Sequence, residues 1–148
     1  KFYLLDINMI YKNIAVAVAG QDDDTILINK ARALAEQNDA YLTIIHIDDI
    51  NEKMGHGIYM PSCEDVIYGI RTHNREHIQK LASDICNKKL KIRIVPGEMP
   101  LSLVKVVNEE QCDLLICGHH QSFIHKLLPS CRELINSLSV NILVIPLP

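Results

Sequence analysis

The residues in this chain with the most chemical potential lie in one short stretch. Gly118-His119-His120-Gln121-Ser122 follows an apolar run, with Cys117 just before it and His125, Ser130, Cys131 and Arg132 shortly after. Imidazole and thiolate are suitable zinc ligands, so a metal is the first chemistry to test. The spacing of Cys117, His119, His120, His125 and Cys131 matches no tetrahedral pattern, and adjacent histidines in a loop rarely converge on one ion. No metal and no cofactor is expected. A serine nucleophile fares no better. Ser122 and Ser130 have histidines close by, yet there is no Gly-x-Ser-x-Gly elbow and no convincingly placed carboxylate. Cys117 closes an apolar run and reads as core rather than as a nucleophile. What remains is an anion, held by His119 with Arg132 where open α/β sheets bind their ligands. The candidate site is therefore Gly118, His119, His120, Gln121, Ser122 and Arg132.

Those residues need elements to position them. Short apolar runs occur at Ile14–Val18, Tyr41–Ile47, Lys91–Val95 before Pro96-Gly97, Leu114–Cys117 before Gly118, and Ile142–Ile145, stopped by Pro146. Each is too short for a buried helix, and apolar residues on consecutive positions suit strands covered on both faces, as in parallel sheets. Helical patterns lie between them. Asp22-Asp23-Asp24 places carboxylates at a helix start, followed by Leu27, Ala31, Leu34 and Ala35 on one face. Ser62-Cys63-Glu64-Asp65 has capping-box spacing and opens a stripe of Ile67, Ile70, Ile78, Leu81 and Ile85. That helix also carries His73, Arg75, His77 and Lys80, which read as a wet face. Pro100 suits a first helical position before Leu103, Val104 and Val107, and a last helix after Pro129 carries Leu134, Ile135 and Leu138. The alternation specifies crossover units and a doubly wound parallel α/β sheet. The stretch from Asp48 to Pro61, with Gly55 and Gly57, is left as a long loop.

The chain has 148 residues, 48% hydrophobic and 22% charged, which fits one domain. A domain of this size buries roughly two thirds of its unfolded surface and needs no disulfide or structural metal. A net charge of −3 disfavours a nucleic-acid partner. No apolar run approaches a membrane span, so no membrane partner is expected. Five cysteines, odd in number and without a Cys-x-x-Cys pair, point to a reducing compartment and a cytoplasmic address. The domain is expected over residues 9–148, with 1–8 an upstream extension or a remnant of cloning.

Together these segments resemble a family. The first strand leading into Gly20, Gly97-Glu98-Met99-Pro100, the run Cys112-Asp113-Leu114-Leu115-Ile116-Cys117-Gly118-His119-His120 and the closing Val140–Pro146 are similar to bacterial universal stress proteins. Within that family the run from Cys112 to His120 is similar to the enterobacterial members of the A, C and D type. The resemblance implies a five-stranded Rossmann-like sheet in the order 3-2-1-4-5. Strand three agrees, since Lys91 and Arg93 alternate with apolar residues in the manner of a protected edge. Nucleotide-binding members carry Gly-x2-Gly-x9-Gly-Ser/Thr after the fourth strand and an aspartate at the end of the first. Here Gly118 fills the first position, Gln121 the second and Cys131-Arg132 the last pair, while Ala19 stands in the place of the aspartate. The resemblance implies that the candidate site is a degenerate nucleotide site.

The resemblance thus implies a cytoplasmic, non-catalytic stress-response factor without tight ATP binding, acting through dimerisation and an unknown protein partner. The alternatives are an adenine-nucleotide switch of the same fold and a small enzyme using the His119/His120 loop. Ile142-Leu143-Val144-Ile145 carries no charge yet lies at an edge in this order. An antiparallel homodimer through this strand would cover it, with Pro146 and Pro148 limiting the ladder.

Overall fold

The computed structural model describes residues 10–19, 23–49, 88–120 and 133–148. The helix expected from Ser62, Cys63, Cys86 and Cys131, residues 1–8, and most of the loop before Pro61 lie outside the described residues. The elements are β1 (Asn13–Ala17), α1 (Asp24–Asn38), β2 (Tyr41–Asp49), β3 (Leu90–Gly97), α2 (Leu101–Glu109), β4 (Leu114–His120) and β5 (Asn141–Leu147). Residues 133–137 are also helical. All strand pairs are parallel, in the order β3-β2-β1-β4-β5. The doubly wound α/β sheet and its strand order are as expected, with β3 and β5 at the edges.

Successive side chains of a strand point to opposite faces, and here both faces are covered. One face puts Ile14, Val16, Leu42, Ile44, Leu114, Ile116 and Leu147 against Leu27, Ile28, Ala31 and Ala35 of α1. The other puts Ala15, Ile45 and Leu115 against Leu103, Val106 and Val107 of α2, with Leu134 and Leu138. That is why the central strands are apolar at consecutive positions. Each large aliphatic side chain fully buried here contributes about 1.5–3 kcal/mol relative to exposure.

The starts of the central strands are fastened by two polar side chains. Asp113 accepts the Lys12 amide on Oδ2 at 2.8 Å and the Asn13 amide on Oδ1 at 3.1 Å, and its own N–H donates to the Asn13 carbonyl at 2.8 Å. Such a clamp fixes the register of β4 against β1. Asn38, in the last turn of α1, accepts the amides of Ile10 and Tyr11 at 2.8 and 3.1 Å and donates to the Leu34 carbonyl. Asp39 then ends the helix in the left-handed region at φ 49°, a conformation that Asp tolerates better than most residues.

Several local expectations are corrected. Pro100 is the cap before α2, not its first helical residue; separately, Val106 is buried with Leu103 and Val107, while Val104 is only partly covered. Ile135, expected in the stripe of the last helix, is 61% exposed, and only Leu134 and Leu138 of that trio enter the core. Asp48 and Asp49 belong to β2 rather than to the following loop. β3 continues through Pro96-Gly97 and β5 through Pro146. An edge strand has one side unpaired, so a residue without an amide hydrogen fits there without breaking the sheet.

Candidate functional site

The strand order reverses between β1 and β4, and ligands of open α/β sheets bind beyond the carboxyl ends of strands at such a point. The candidate site falls there in part. The sequence pattern ends the fourth strand at Cys117 and puts Gly118 and the paired histidines in a following loop. Gly118, His119 and His120 are instead the last residues of β4, in register with Ile145, Pro146 and Leu147. β5 continues far enough to hold them in the ladder, which local sequence does not reveal. Gln121, Ser122 and Arg132, the other members of the expected site, lie outside the described residues.

Gly118 is closely packed. A Cβ added there would lie 2.5 Å from Leu147 Cδ1 and 3.1 Å from Leu27 Cδ1. The glycine lets β5 and α1 close over β4 on the α1 face of the sheet. By strand alternation, His119 projects from the opposite face, where Leu115 and Cys112 pack with α2. The two neighbours therefore serve different layers. Among the described residues, no three of His, Cys, Asp and Glu converge as metal ligands. Cys117 is buried, as expected of a core thiol. Cys112 is buried too; desolvation, with the nearby Glu110 and Asp113 charges, pushes its thiol up to about 11, so it is a poor nucleophile at neutral pH.

The other wall of the crevice is the exit of β1. Asp23 makes no side-chain capping bond to α1, contrary to the simple reading of Asp22-Asp23-Asp24 as helix caps. The Asp24 carboxylate turns back to the strand end, where Oδ1 accepts the Ala19 amide at 3.1 Å. Across the sheet, His46 of β2 is 5% exposed and its Nδ1 lies 3.0 Å from the Val18 carbonyl oxygen. A carbonyl only accepts, so Nδ1 carries the proton and donates it. Sequence reasoning passed over His46 because it sits within the apolar run Tyr41–Ile47. The available signal was one polar residue in a strand apolar on both sides, since buried polar groups are normally there to make a bond.

The whole chain has clear relatives. A model of the universal stress protein family matches residues 10–146. The chain is 46% identical to universal stress protein D of Escherichia coli strain K12 over 138 residues, covering 93% of this chain and 97% of that protein. Among solved structures, a universal stress protein in complex with cAMP is similar with a TM-score of 0.57, at 21% identity and covering 92% of this chain and 97% of the other. The universal stress protein of Archaeoglobus fulgidus in complex with dAMP gives 0.53, at 18% identity and covering 93% and 99%. At such identities the structural likeness speaks for the fold, while the match along residues 10–146 and the 46% identity over nearly the full chain speak for kinship. This chain belongs to the universal stress protein family.

Proposed function

We propose that the chain is a non-catalytic stress-response protein of a branch that does not hold ATP tightly. On this reading it works in the cytoplasm through self-pairing along β5 and through contacts with another protein. One observation carries the reading. Of the residues by which nucleotide-binding relatives hold their ligand, only Gly118 is present, and its free space is taken by Leu147 and Leu27. Gln121 and Cys131-Arg132 replace the later glycines and hydroxyl, and Ala19 replaces the aspartate. A phosphate nest needs backbone amides that a ligand can approach, and glycines are what permit that approach.

The second reading, an adenine-nucleotide switch, is favoured by the cAMP and dAMP complexes of structurally similar proteins. Equilibrium binding of labelled ATP with magnesium separates the two. The expected outcome is no saturable binding below the millimolar range, and sub-millimolar saturable affinity overturns the proposal. A combined variant carrying Ala19→Asp, Gln121→Gly, Cys131→Gly and Arg132→Ser is expected to gain ATP affinity. No gain would show that the replaced residues were not the main obstacle.

A further inference from the structure

At the opposite end of the sheet from the crevice, where β2 and β3 begin, the last turns of α1 and the strand entries leave a cavity of about 150 Å³. Among the described residues its lining divides in two. Ala35, Ala40, Leu42 and Leu90 are buried and apolar, while Arg32, Glu36, Asp39 and Lys89 are charged. Glu36 and Asp39 are exposed, so the charged side is also the open one, and Lys89 crosses it to pair with Asp39. The main chain around the cavity is already committed. The Ala40 amide donates to the Ala35 carbonyl and the Leu42 amide to the Lys89 carbonyl, both at 2.8 Å. Recognition here therefore falls to side chains. Arg32 stands out among them. It is 4% exposed and lies in the buried stripe of α1 with Leu27, Ile28, Ala31 and Ala35. Leucine would complete that stripe without the cost of burying a charge, so packing does not account for the arginine.

We propose that this cavity binds a small zwitterionic α-amino acid, with its carboxylate on Arg32, its ammonium toward Glu36 and its short side chain on Ala35, Leu42 and Leu90. The charges argue for a ligand of both signs. Arg32 and Lys89 balance Glu36 and Asp39, so a simple anion or cation meets no net charge, whereas a dipolar molecule is matched at each end. The order of the charges sets its direction. Glu36 follows Arg32 by one helical turn at 3.8 Å, and beyond it comes the carbonyl end of α1, whose last turn has no basic residue. A positive group is favourable there. Arginine presents five N–H donors in a planar fork that fits a carboxylate, so Arg32 serves a ligand while staying beside Glu36. Size narrows the class further. A cavity of this volume takes a molecule of about six non-hydrogen atoms, such as alanine, and is far too small for a nucleotide. The site is separate from the crevice and does not depend on how that crevice is read.

Titration of the full chain with L-alanine, propionate and ethylamine, followed by amide chemical shifts, tests the site. L-Alanine is expected to give saturable shifts at Leu42 and Leu90 in the millimolar range, with Leu115 unmoved. Propionate lacks the ammonium and ethylamine the carboxylate, and each should bind at least tenfold more weakly. Arg32→Leu should lose L-alanine binding at least tenfold. If that variant does not fold, Arg32→Lys keeps the charge without the fork and should weaken binding as well. Glu36→Gln, at an exposed position, should bring L-alanine down to the affinity of propionate. The absence of saturable shifts with L-alanine, propionate binding as tightly as L-alanine, or an affinity that ignores Arg32 and Glu36 would overturn the proposal.

Discussion

The two edges of the sheet face the same problem with different chemistry. On β3, Lys91 pairs with Glu110 at 2.9 Å, and Arg93 reaches Glu109 at 3.1 Å and Glu110 at 2.9 Å, so α2 is strapped to the strand by charge. On β5, the residues from Asn141 to Leu147 carry no charge, and Leu143 and Val144 are each 40% exposed. Proline does not distinguish them, since Pro96 and Pro146 sit near the carboxyl ends of both strands. What differs is the cost of approach. A second strand meeting β3 must disturb or desolvate an ion-pair network, whereas one meeting β5 covers apolar side chains and open main-chain groups. The comparison also trims the expected pairing segment. Ile145 is 5% exposed and belongs to the core, and Ile142 is partly buried, so Leu143 and Val144 are the residues available to a partner.

The largest effect should come from charging the apolar edge. Val144→Lys is expected to convert a dimer into a monomer, halving the mass measured by light scattering. A wild-type protein already monomeric at tens of micromolar would show that the apolar edge of β5 does not pair. The reverse change tests the other edge. Replacing both Lys91 and Arg93 by valine removes the charged partners of Glu109 and Glu110, and species larger than a dimer should then appear as concentration rises in analytical ultracentrifugation. If the mass distribution stays that of the wild type, charge is not what guards β3.

A smaller effect is expected where β5 packs on β4. Gly118→Ala must push aside Leu147 Cδ1, the far end of a flexible side chain, so the loss in urea denaturation should be about 1–3 kcal/mol. A neutral result would mean that the end of β5 moves freely and is less firmly seated than β3. The smallest effect concerns the ion pairs themselves. Glu110 is 16% exposed at its side chain, and hydrogen bonding to Lys91, with Arg93, holds its carboxyl below the usual value of 4.5. A carboxyl lowered in the folded state adds stability that is full above its unfolded value and is lost as pH falls through the folded one. Glu110→Gln should therefore cost about 1 kcal/mol at pH 7, and the gap to the wild type should shrink below pH 4.5, followed by urea midpoints across that range.

The fold was legible because its signals are local and redundant. Consecutive apolar residues such as Ile14 to Val18 can be buried on both sides only in a covered strand, and the helical stripes between such runs leave a crossover topology as the consistent solution. Lys91 and Arg93 marked an edge before any coordinates did. The candidate site was legible only as a place. Gly118 and His119 are at the switch point, but nothing in their neighbourhood in sequence says that the ladder to β5 extends through them or that they serve opposite layers. Val106 is buried although the stripe expected for α2 omits it, and Ile135 is exposed although it was expected in the stripe of the last helix, for a related reason: a short helix offers more than one possible stripe, and its neighbours select among them.

By itself, then, the sequence determined the class of fold, the strand order through family resemblance, the charged and apolar edges, and the loss of the phosphate-approaching glycines. These are properties of residue type and period, which survive any detail of packing. Tertiary structure decided how distant residues share one group. Asp113 grips the amides of Lys12 and Asn13 from the other side of the chain, Leu147 and Leu27 fill the space over Gly118, and His46 and Asp24 meet on a single peptide between Val18 and Ala19. None of these pairings has a period or a motif. Each depends on which buried hydrogen-bonding group, or which unfilled volume, is left within reach once the chain has closed, and that is settled by the fold as a whole.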